Sequence, residues 1–371
     1  MMGKATPLRA ISFTKASVAI VCSWPPPLTS SKLQNVVFEI LWFLAFISAF
    51  LLLLPLLYSV YLDRHDPVVL SKSITLACAV LQINIKMVCY KKQRSQFQAF
   101  LFEMEKFCKY ASKRENKVLQ SYVDRLKNVH ATYIICCYFT TCVILCGPIL
   151  LKQPFPTDAK YPFPIENLPM RSLIYLHQVF VGFQASAAMA TDIQISLLLW
   201  YIAAKFDILT IEFTKSKATN ELDTNLAKYQ DLLQYATKVI NAARILPVIT
   251  VCVTSIGVVF ASLNIISDQP VAAKVQYVIV AFVAGTQLFM CAWAADNLIY
   301  ASERVGLGAY SSKWYSWEAK SQRNIMHVLS RCRKPIVIKV GGILPSLSLQ
   351  YYSAFIYKSF SYLAAVRIML G

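Results

Sequence analysis

Long apolar runs alternate with charged segments along this chain, and the alternation predicts its secondary structure. A helix needs about 20 apolar residues to cross the hydrocarbon layer of a bilayer, and seven runs are that long. They cover approximately 36–61, 70–89, 133–150, 173–201, 245–266, 275–300 and 344–369. The second and fourth runs contain the most polar residues, so a six-helix alternative requires one of these two not to span. The pattern therefore predicts an all-α membrane protein with seven transmembrane helices.

Two polar segments between these runs also have helical periodicity. In 97–129 and 222–243, apolar residues recur every three or four positions and charged residues occupy the other faces. We expect helices that extend the neighbouring spans and pack into a cytoplasmic anchor, formed by 92–131, 206–244 and 301–340. The alternative is that these helices lie on the lipid surface.

The segment 152–169 differs from the other loops because it contains five prolines and three aromatic residues. Proline removes a backbone donor and fixes φ, so the segment is expected to be an ordered loop rather than a helix. Since it lies between the third and fourth spans, it is positioned to roof a cavity there. The alternative is an ordinary surface loop.

Composition supports a membrane protein, and the charge distribution gives its orientation. Of the 371 residues, 57% are hydrophobic and 15% are charged, which is too little charge to cover a soluble domain of this size. The segments 1–35, 86–131, 205–244 and 301–340 hold 29 of the 37 Lys and Arg residues, whereas the three intervening loops hold six. By the positive-inside rule, the N-terminus is cytoplasmic and the C-terminus is extracellular.

This orientation gives a cytoplasmic N-terminal segment, 1–35, followed by a single seven-helix domain, 36–371. It is opposite to that of G-protein-coupled receptors. The net charge of +18 does not indicate a nucleic-acid partner, because the cations lie between apolar runs, where they face anionic membrane lipids.

Catalytic and metal-binding signatures are missing from the sequence. We find no zinc-type Cys/His spacing and no HExxH, GxSxG or P-loop motif. The sequence therefore predicts that the protein is not an enzyme and that it uses no metal ion or cofactor. A secondary transporter is a rival interpretation, but such folds usually contain two related halves, and no repeat between the halves is evident here.

The C-terminal third contains the most specific motifs of the chain. They are Ala309-Tyr310, Trp314-Tyr315, Arg331, Lys334-Pro335, Gly341-Gly342, Ser346-Leu347-Ser348-Leu349, and Lys358-Ser359-Phe360-Ser361-Tyr362 followed by Arg367. These motifs resemble those of insect odorant receptors, a seven-transmembrane family of inverted topology that pairs with a common odorant co-receptor. The resemblance extends over about 36–371, although upstream of the C-terminal third it is mostly a matter of hydropathy and of the proline-rich loop.

The resemblance implies a subunit of a tetrameric, ligand-gated, non-selective cation channel. The expected partners are odorant co-receptor subunits in a heterotetramer, a small volatile ligand, permeating cations and membrane lipids. The expected location is the plasma membrane of sensory-neuron dendrites, with several passes. The nearest alternative is a gustatory-receptor-like homomeric channel, although the chain lacks the TYhhhhhQF-type ending of those receptors.

The last span, 344–369, is the predicted pore helix. One face, formed by Tyr362, Ala365, Val366 and Met369, is free of charge at helical spacing, and a ring of such side chains can gate a pore by dewetting. The resemblance places Ala365 at the family's narrow gate, with Val366 beside it. It also places Ile368 where the co-receptor has a polar residue. Because alanine is small, we expect a tuning subunit whose pore is largely completed by co-receptor chains; the alternative is that this face packs on its own bundle.

The resemblance also implies an odorant pocket in the outer halves of the second, third, fourth and sixth spans. The residues expected to face it are Ser73, Ala77, Val80, Phe139, Cys142, Cys146, Phe180, Phe183, Gln184, Ala187, Tyr277, Val280, Phe282 and Thr286. None of them is a carboxylate or an arginine, which indicates a neutral ligand such as an ester, alcohol, terpene or aldehyde. For each residue the alternative is ordinary packing between helices.

Several charged residues lie within or beside the spans. Glu39, Asp192 and Asp296 are each predicted to lie near the inner interface, and we expect a structural role for them rather than a place on the ion path. Lys358 and Arg367 lie in the last span. Lys358 is expected to face protein or water rather than lipid, and Arg367 to extend to the outer interface and point away from the pore axis.

Overall fold

The computed structural model describes residues 6–148, 154–165, 167–216, 218–342 and 344–370. Within its helices, the side chains of Pro67, Leu363 and 366–370 lie outside the description. Over the described residues the chain is almost entirely helical. The α-helices are α1 (Pro7–Ser17), α2 (Lys32–Leu62), α3 (Pro67–Lys92), α4 (Arg94–Tyr110), α5 (Lys113–Leu145), α6 (Leu168–Lys215), α7 (Thr219–Ala243), α8 (Ile245–Ile266), α9 (Val271–Tyr310), α10 (Ala319–Cys332) and α11 (Leu349–Leu370). Two short 3₁₀ helices, Ala19–Val21 and Trp314–Ser316, connect them.

Seven of these helices correspond to the predicted spans. Within the described residues, α2, α3, α5, α6, α8 and α9 are long and apolar enough to cross a membrane. Helix α11 occupies most of the seventh predicted run. The expectation of an all-α membrane protein with seven membrane-spanning helices is confirmed.

Helices α6 and α9 extend well beyond the thickness of a bilayer. They contain 48 and 40 residues, which at helical rise gives lengths of about 72 Å and about 60 Å. Their second halves pack with α4, α7 and α10 at the end of the bundle that the basic residues assign to the cytoplasm. The amphipathic segments thus bury their apolar faces against protein, rather than lying separately on a lipid surface.

The periodic segment 97–129 is divided between two helices. Helix α4 ends at Tyr110, and α5 begins at Lys113 after a two-residue break. At this break the Ser112 hydroxyl accepts a hydrogen bond from the Glu115 backbone N–H, while the Glu115 carboxylate accepts one from the Ser112 N–H. This reciprocal capping box fixes the start of α5.

Helix α6 forms the axis of the bundle. In its most apolar 18-residue stretch, 89% of the residues are buried, compared with 33% for α2. It packs against α9 and α5 along much of its length. Helices α2 and α3 also pack against α6, whereas α8 and α11 pack against α9.

The described part of the N-terminal segment packs onto the spans. The Tyr138 hydroxyl on α5 donates to the Ser17 carbonyl at 2.7 Å. The Ser23 hydroxyl donates to Gln194 on α6 at 3.1 Å, and Val18 and Val21 between them are buried. The segment that precedes the first span is therefore an ordered part of the bundle.

Glycine at position 308 is required where α9 approaches α6 in the anchor. A Cβ atom at Gly308 would lie 2.5 Å from the Thr210 carbonyl oxygen, a backbone atom that cannot rotate away. We expect Gly308→Ala to destabilise the fold by about 1–3 kcal/mol, as overpacking generally does. Gly285→Ala on the same helix is the control, since its Cβ would meet no heavy atom within 4 Å. Thermal unfolding in detergent measures both, and equal midpoints would contradict the interpretation.

Candidate functional site

A partly enclosed cavity lies in the half of the bundle opposite the anchor. It is bounded by α3, α5, α6, α8, α9 and the proline-rich loop, and its volume is about 140 Å³. Its apolar walls include Leu76, Ile144, Met189, Val253, Val280 and Val283. A largely apolar cavity with a few polar groups is the usual form of a small-molecule site.

The proline-rich loop forms the roof of this cavity, as its position in the sequence predicted. Pro156 and Asp158 line the cavity. The Asp158 carbonyl accepts a hydrogen bond from the Ser59 hydroxyl of α2 at 2.9 Å, and the Thr157 N–H donates to the Gln178 side chain of α6 at 3.2 Å. Because the loop is tied to two spans, it closes the outer end of the cavity without regular secondary structure.

Two residues of opposite charge contribute to the cavity wall near this roof. Lys72 lies near the start of α3, and Asp158 lies in the loop. Burial raises the pKa of the Asp158 carboxyl above its ordinary value, and the attraction of Lys72 opposes that rise. Among the described residues of the cavity wall, these two are the ones with ionisable charged side chains of opposite sign.

Most polar side chains around the cavity are already hydrogen-bonded within the protein. The Thr75 hydroxyl donates to the Ser71 carbonyl at 2.8 Å, and the hydroxyls of Thr141 and Ser186 lie 2.6 Å apart. The Gln276 side-chain amide donates to a backbone carbonyl of α5 at 3.3 Å. The bonds of Thr141 and Gln276 join α5 to α6 and α9, whereas the bond of Thr75 lies within α3. Each of these groups therefore already uses a hydrogen bond within the protein.

Two buried cavity-lining side chains are exceptions. Within the described part of the chain, neither Gln82 Nε2 on α3 nor Thr254 Oγ1 on α8 has a hydrogen-bond partner. Both residues line the cavity, and their exposures are 4% and 2%. Buried polar atoms are normally hydrogen-bonded, so these two groups provide unused hydrogen-bonding capacity at the cavity wall.

A buried ion pair lies on the cytoplasmic side of the cavity. Lys86 Nζ on α3 is 2.6 Å from Asp192 Oδ2 on α6, and both side chains are 1% exposed. Asp192 also accepts hydrogen bonds from Thr250 of α8 and Gln287 of α9. Gln287 lines the cavity as well. The ion pair therefore joins four spans at the base of the cavity.

Of the fourteen residues predicted to face the pocket, Tyr277 and Val280 line this cavity. The others lie elsewhere on the same helices, and contact between them and a ligand remains a prediction. Five are buried between helices: Ser73, Ala77, Val80, Gln184 and Ala187. Six face outward or are partly exposed, namely Phe139, Cys142, Cys146, Phe180, Phe282 and Thr286, and Phe183 packs against the Tyr138 ring.

Sequence reasoning missed much of the cavity wall, although a signal for it was present. Thr75, Ala79 and Gln82 line the cavity at positions i, i+4 and i+7 of α3, so they share one helical face. Two of these are polar residues in an apolar span, and such residues usually face the protein interior. The fifth span was not predicted to contribute, yet Thr254 and Gly257 of α8 lie in the wall.

The three acidic residues predicted to have structural roles each have a partner. Asp192 is paired with Lys86 in the buried ion pair. Asp296 accepts a hydrogen bond from the first backbone N–H of α11 at 3.2 Å and thus caps the predicted pore helix. Glu39 forms ion pairs with Lys91 and Arg94.

Helix α11 lies against α8 and α9 at its start and is largely exposed beyond it. The Tyr352 ring contacts the Phe289 ring of α9, with centroids 5.4 Å apart. Lys358, Tyr362 and Ala365 are exposed on the single chain. The side chains of three other predicted pore residues, Val366, Ile368 and Met369, lie outside the described residues, as does that of Arg367.

Comparison with known proteins identifies the family of this chain. The model of the family described as "7tm Odorant receptor" matches residues 66–360. Odorant receptor Or2 of Anopheles gambiae is 27% identical over 23% of this chain and 22% of its own length. Odorant receptor 67a of Drosophila melanogaster is 24% identical over 65% of this chain and 62% of its own length. The chain thus spans less than two thirds of either relative.

Solved structures of similar fold cover nearly the whole chain. The insect olfactory receptor OR5 from Machilis hrabei superposes with a TM-score of 0.85 at 15% identity, covering 97% of this chain and 98% of that one. A second structure of OR5, in complex with eugenol, has a TM-score of 0.80 at 17% identity over 98% and 100% of the two chains. The family model covers most of the chain, and the seven-helix arrangement agrees with it. The chain is a multi-pass membrane protein of the 7tm Odorant receptor family and not an enzyme.

Proposed function

We propose that this chain is the odorant-binding tuning subunit of a heterotetrameric, odorant-gated, non-selective cation channel formed with the odorant co-receptor. Its location would be the plasma membrane of sensory-neuron dendrites. The observation that carries this proposal is the largely apolar cavity in the outer half of the bundle of an odorant-receptor-family chain. The eugenol complex of Machilis hrabei OR5, a receptor of the same fold, is consistent with a small organic ligand.

The cavity wall supports a neutral volatile as the ligand. Transferring an unpaired charge into a buried apolar site is very unfavourable, and the charged wall residues, Lys72 and Asp158, have opposite signs. The cavity volume of about 140 Å³ also limits the ligand to a compact molecule. Activation by charged amino acids, with no response to neutral volatiles, would contradict this part of the proposal.

The contacts of α11 support a route from cavity to pore. Helices α8 and α9 contribute residues to the cavity wall and also pack against the start of α11. A ligand that shifts either helix would therefore move the predicted pore helix through contacts such as that between Phe289 and Tyr352. Beyond this contact α11 exposes Tyr357 and Tyr362, which are 75% and 59% exposed. We assign these surfaces to the pore and to contacts with neighbouring subunits.

Recording with and without the co-receptor tests the proposed function. Cells that express this chain together with the odorant co-receptor are expected to give cation currents in response to a panel of neutral volatiles. Cells that express the co-receptor alone are expected not to respond to the same volatiles at the same concentrations. If this chain alone gave ligand-gated currents and its channel closed normally, the result would support the homomeric, gustatory-receptor-like alternative. Proton-coupled flux without the co-receptor would support a transporter.

A further inference from the structure

Building on the proposed function, we propose that the cavity selects ligands by a hydrogen-bond acceptor as well as by shape. The preferred ligand is a compact neutral molecule with a carbonyl, ester or ether oxygen. That oxygen accepts a hydrogen bond from Gln82 Nε2 or from Thr254 Oγ1. Hydrocarbons of the same shape bind more weakly.

The polar groups around the cavity differ in whether they have hydrogen-bond partners within the protein. Thr75, Thr141, Ser186 and Gln276 all have partners within the protein. Among the described residues, Gln82 Nε2 and Thr254 Oγ1 have none, although both side chains are more than nine-tenths buried. Leaving a buried donor unsatisfied is unfavourable, and a ligand that supplies an acceptor removes that penalty.

Gln82 Nε2 and the Thr254 hydroxyl can both donate a hydrogen bond to a ligand. A glutamine Nε2 carries two N–H groups and can only donate, whereas a threonine hydroxyl can both donate and accept. They belong to α3 and α8, which pack against each other. A ligand oxygen bound by either group would bring a hydrogen bond to the wall of a cavity that is otherwise mostly apolar.

The size of the cavity limits the size of the ligand. An engineered apolar cavity of roughly 150 Å³ accepts benzene, and this cavity has a volume of about 140 Å³. The cavity therefore matches the size of a single substituted ring or of an aliphatic chain of similar volume. Combined with the donors, this size favours small ketones, aldehydes, esters and ethers.

Matched ligand pairs test the inference in the complete channel with its co-receptor. Suitable pairs are acetophenone with α-methylstyrene, benzaldehyde with styrene, and anisole with ethylbenzene, because the members of each pair differ mainly in the oxygen. The wild-type channel is expected to respond to the oxygen-containing members at about tenfold lower concentration, the size expected for one or two hydrogen bonds. Gln82→Met and Thr254→Val are each expected to reduce that preference by weakening the oxygen-containing member alone.

Thr75→Val is the matched control variant. Thr75 also lines the cavity from α3, but its hydroxyl is already bonded to the Ser71 carbonyl. Its replacement is expected to leave the preference within each pair unchanged. Surface expression is measured for every variant, and if Gln82→Met does not reach the surface, Thr254→Val decides the result.

Each remaining outcome would contradict either the acceptor requirement or the proposed function. Three outcomes would overturn the acceptor requirement and leave the proposed function intact. They are equal responses within the pairs, a preference that survives both substitutions, and responses to other volatiles but to none of the pairs. If no volatile of a broad panel opens the channel, the proposed function itself fails.

Discussion

Removing either partner of the buried Lys86–Asp192 pair is expected to destabilise the protein by about 3–5 kcal/mol. Both side chains are 1% exposed, and their charged atoms are 2.6 Å apart. Lys86→Met leaves a buried carboxylate without its counter-charge, and Asp192→Asn leaves a buried ammonium group without one. Because Asp192 also binds Thr250 and Gln287, the effect of its loss extends to four spans.

The double variant Lys86→Met/Asp192→Asn is expected to recover much of this loss. It removes both charges, and the asparagine oxygen keeps one of the two hydrogen bonds that Thr250 and Gln287 donate to different oxygens of Asp192. Replacing a whole buried ion pair is often neutral, whereas breaking one is not. Lys228→Met is the surface control, since Lys228 is 52% exposed and pairs with Glu212 at 2.8 Å; its cost should stay below about 1 kcal/mol.

Thermal unfolding in detergent measures all four proteins against the wild type. Single variants no less stable than Lys228→Met would show that the buried pair does not hold the bundle together. A double variant no more stable than either single variant would indicate that packing, rather than charge compensation, dominates at this site.

Filling the cavity with Gly257→Leu is expected to abolish the odorant response. Gly257 lines the cavity from α8, and a Cβ atom there meets no heavy atom within 4 Å, so the new side chain extends into empty space. We expect the concentration for half-maximal response to rise more than about a hundredfold, which corresponds to about 2.7 kcal/mol of lost binding. Surface expression and assembly with the co-receptor should be unchanged.

Two smaller substitutions make this test specific. Gly257→Ala adds one methyl group to the cavity wall and should weaken responses to the largest volatiles most. Gly285→Ala adds the same group on α9 at a position that does not line the cavity, and should leave all responses unchanged. An odorant response retained in Gly257→Leu at normal concentrations would place the ligand outside this cavity.

Much of the architecture could be predicted from the sequence because it depends on local periodicity. The apolar runs locate the seven spans, and the helical spacing in 97–129 and 222–243 locates the anchor helices. The break inside 97–129 also has a local cause, since Ser112 and Glu115 form a capping box. Such features need only neighbours within a few residues, which the sequence provides directly.

The cavity could be predicted only in part, because its wall depends on how each helix is rotated. Hydropathy identifies a span but not which of its faces is turned inward when the whole span is apolar. Phe282 was predicted to face the ligand and is 66% exposed, whereas Val283, one position along α9, is 2% exposed and lines the cavity. The partner of Lys86 was also out of reach, since Asp192 lies 106 residues away.

A structure of the heteromeric channel bound to an activating neutral volatile tests the central claim most directly. Ligand density is expected inside the cavity bounded by α3, α5, α6, α8 and α9, beneath the loop residues Pro156 and Asp158. A cavity that is empty at a saturating ligand concentration, with the ligand bound elsewhere on the open channel, would contradict it.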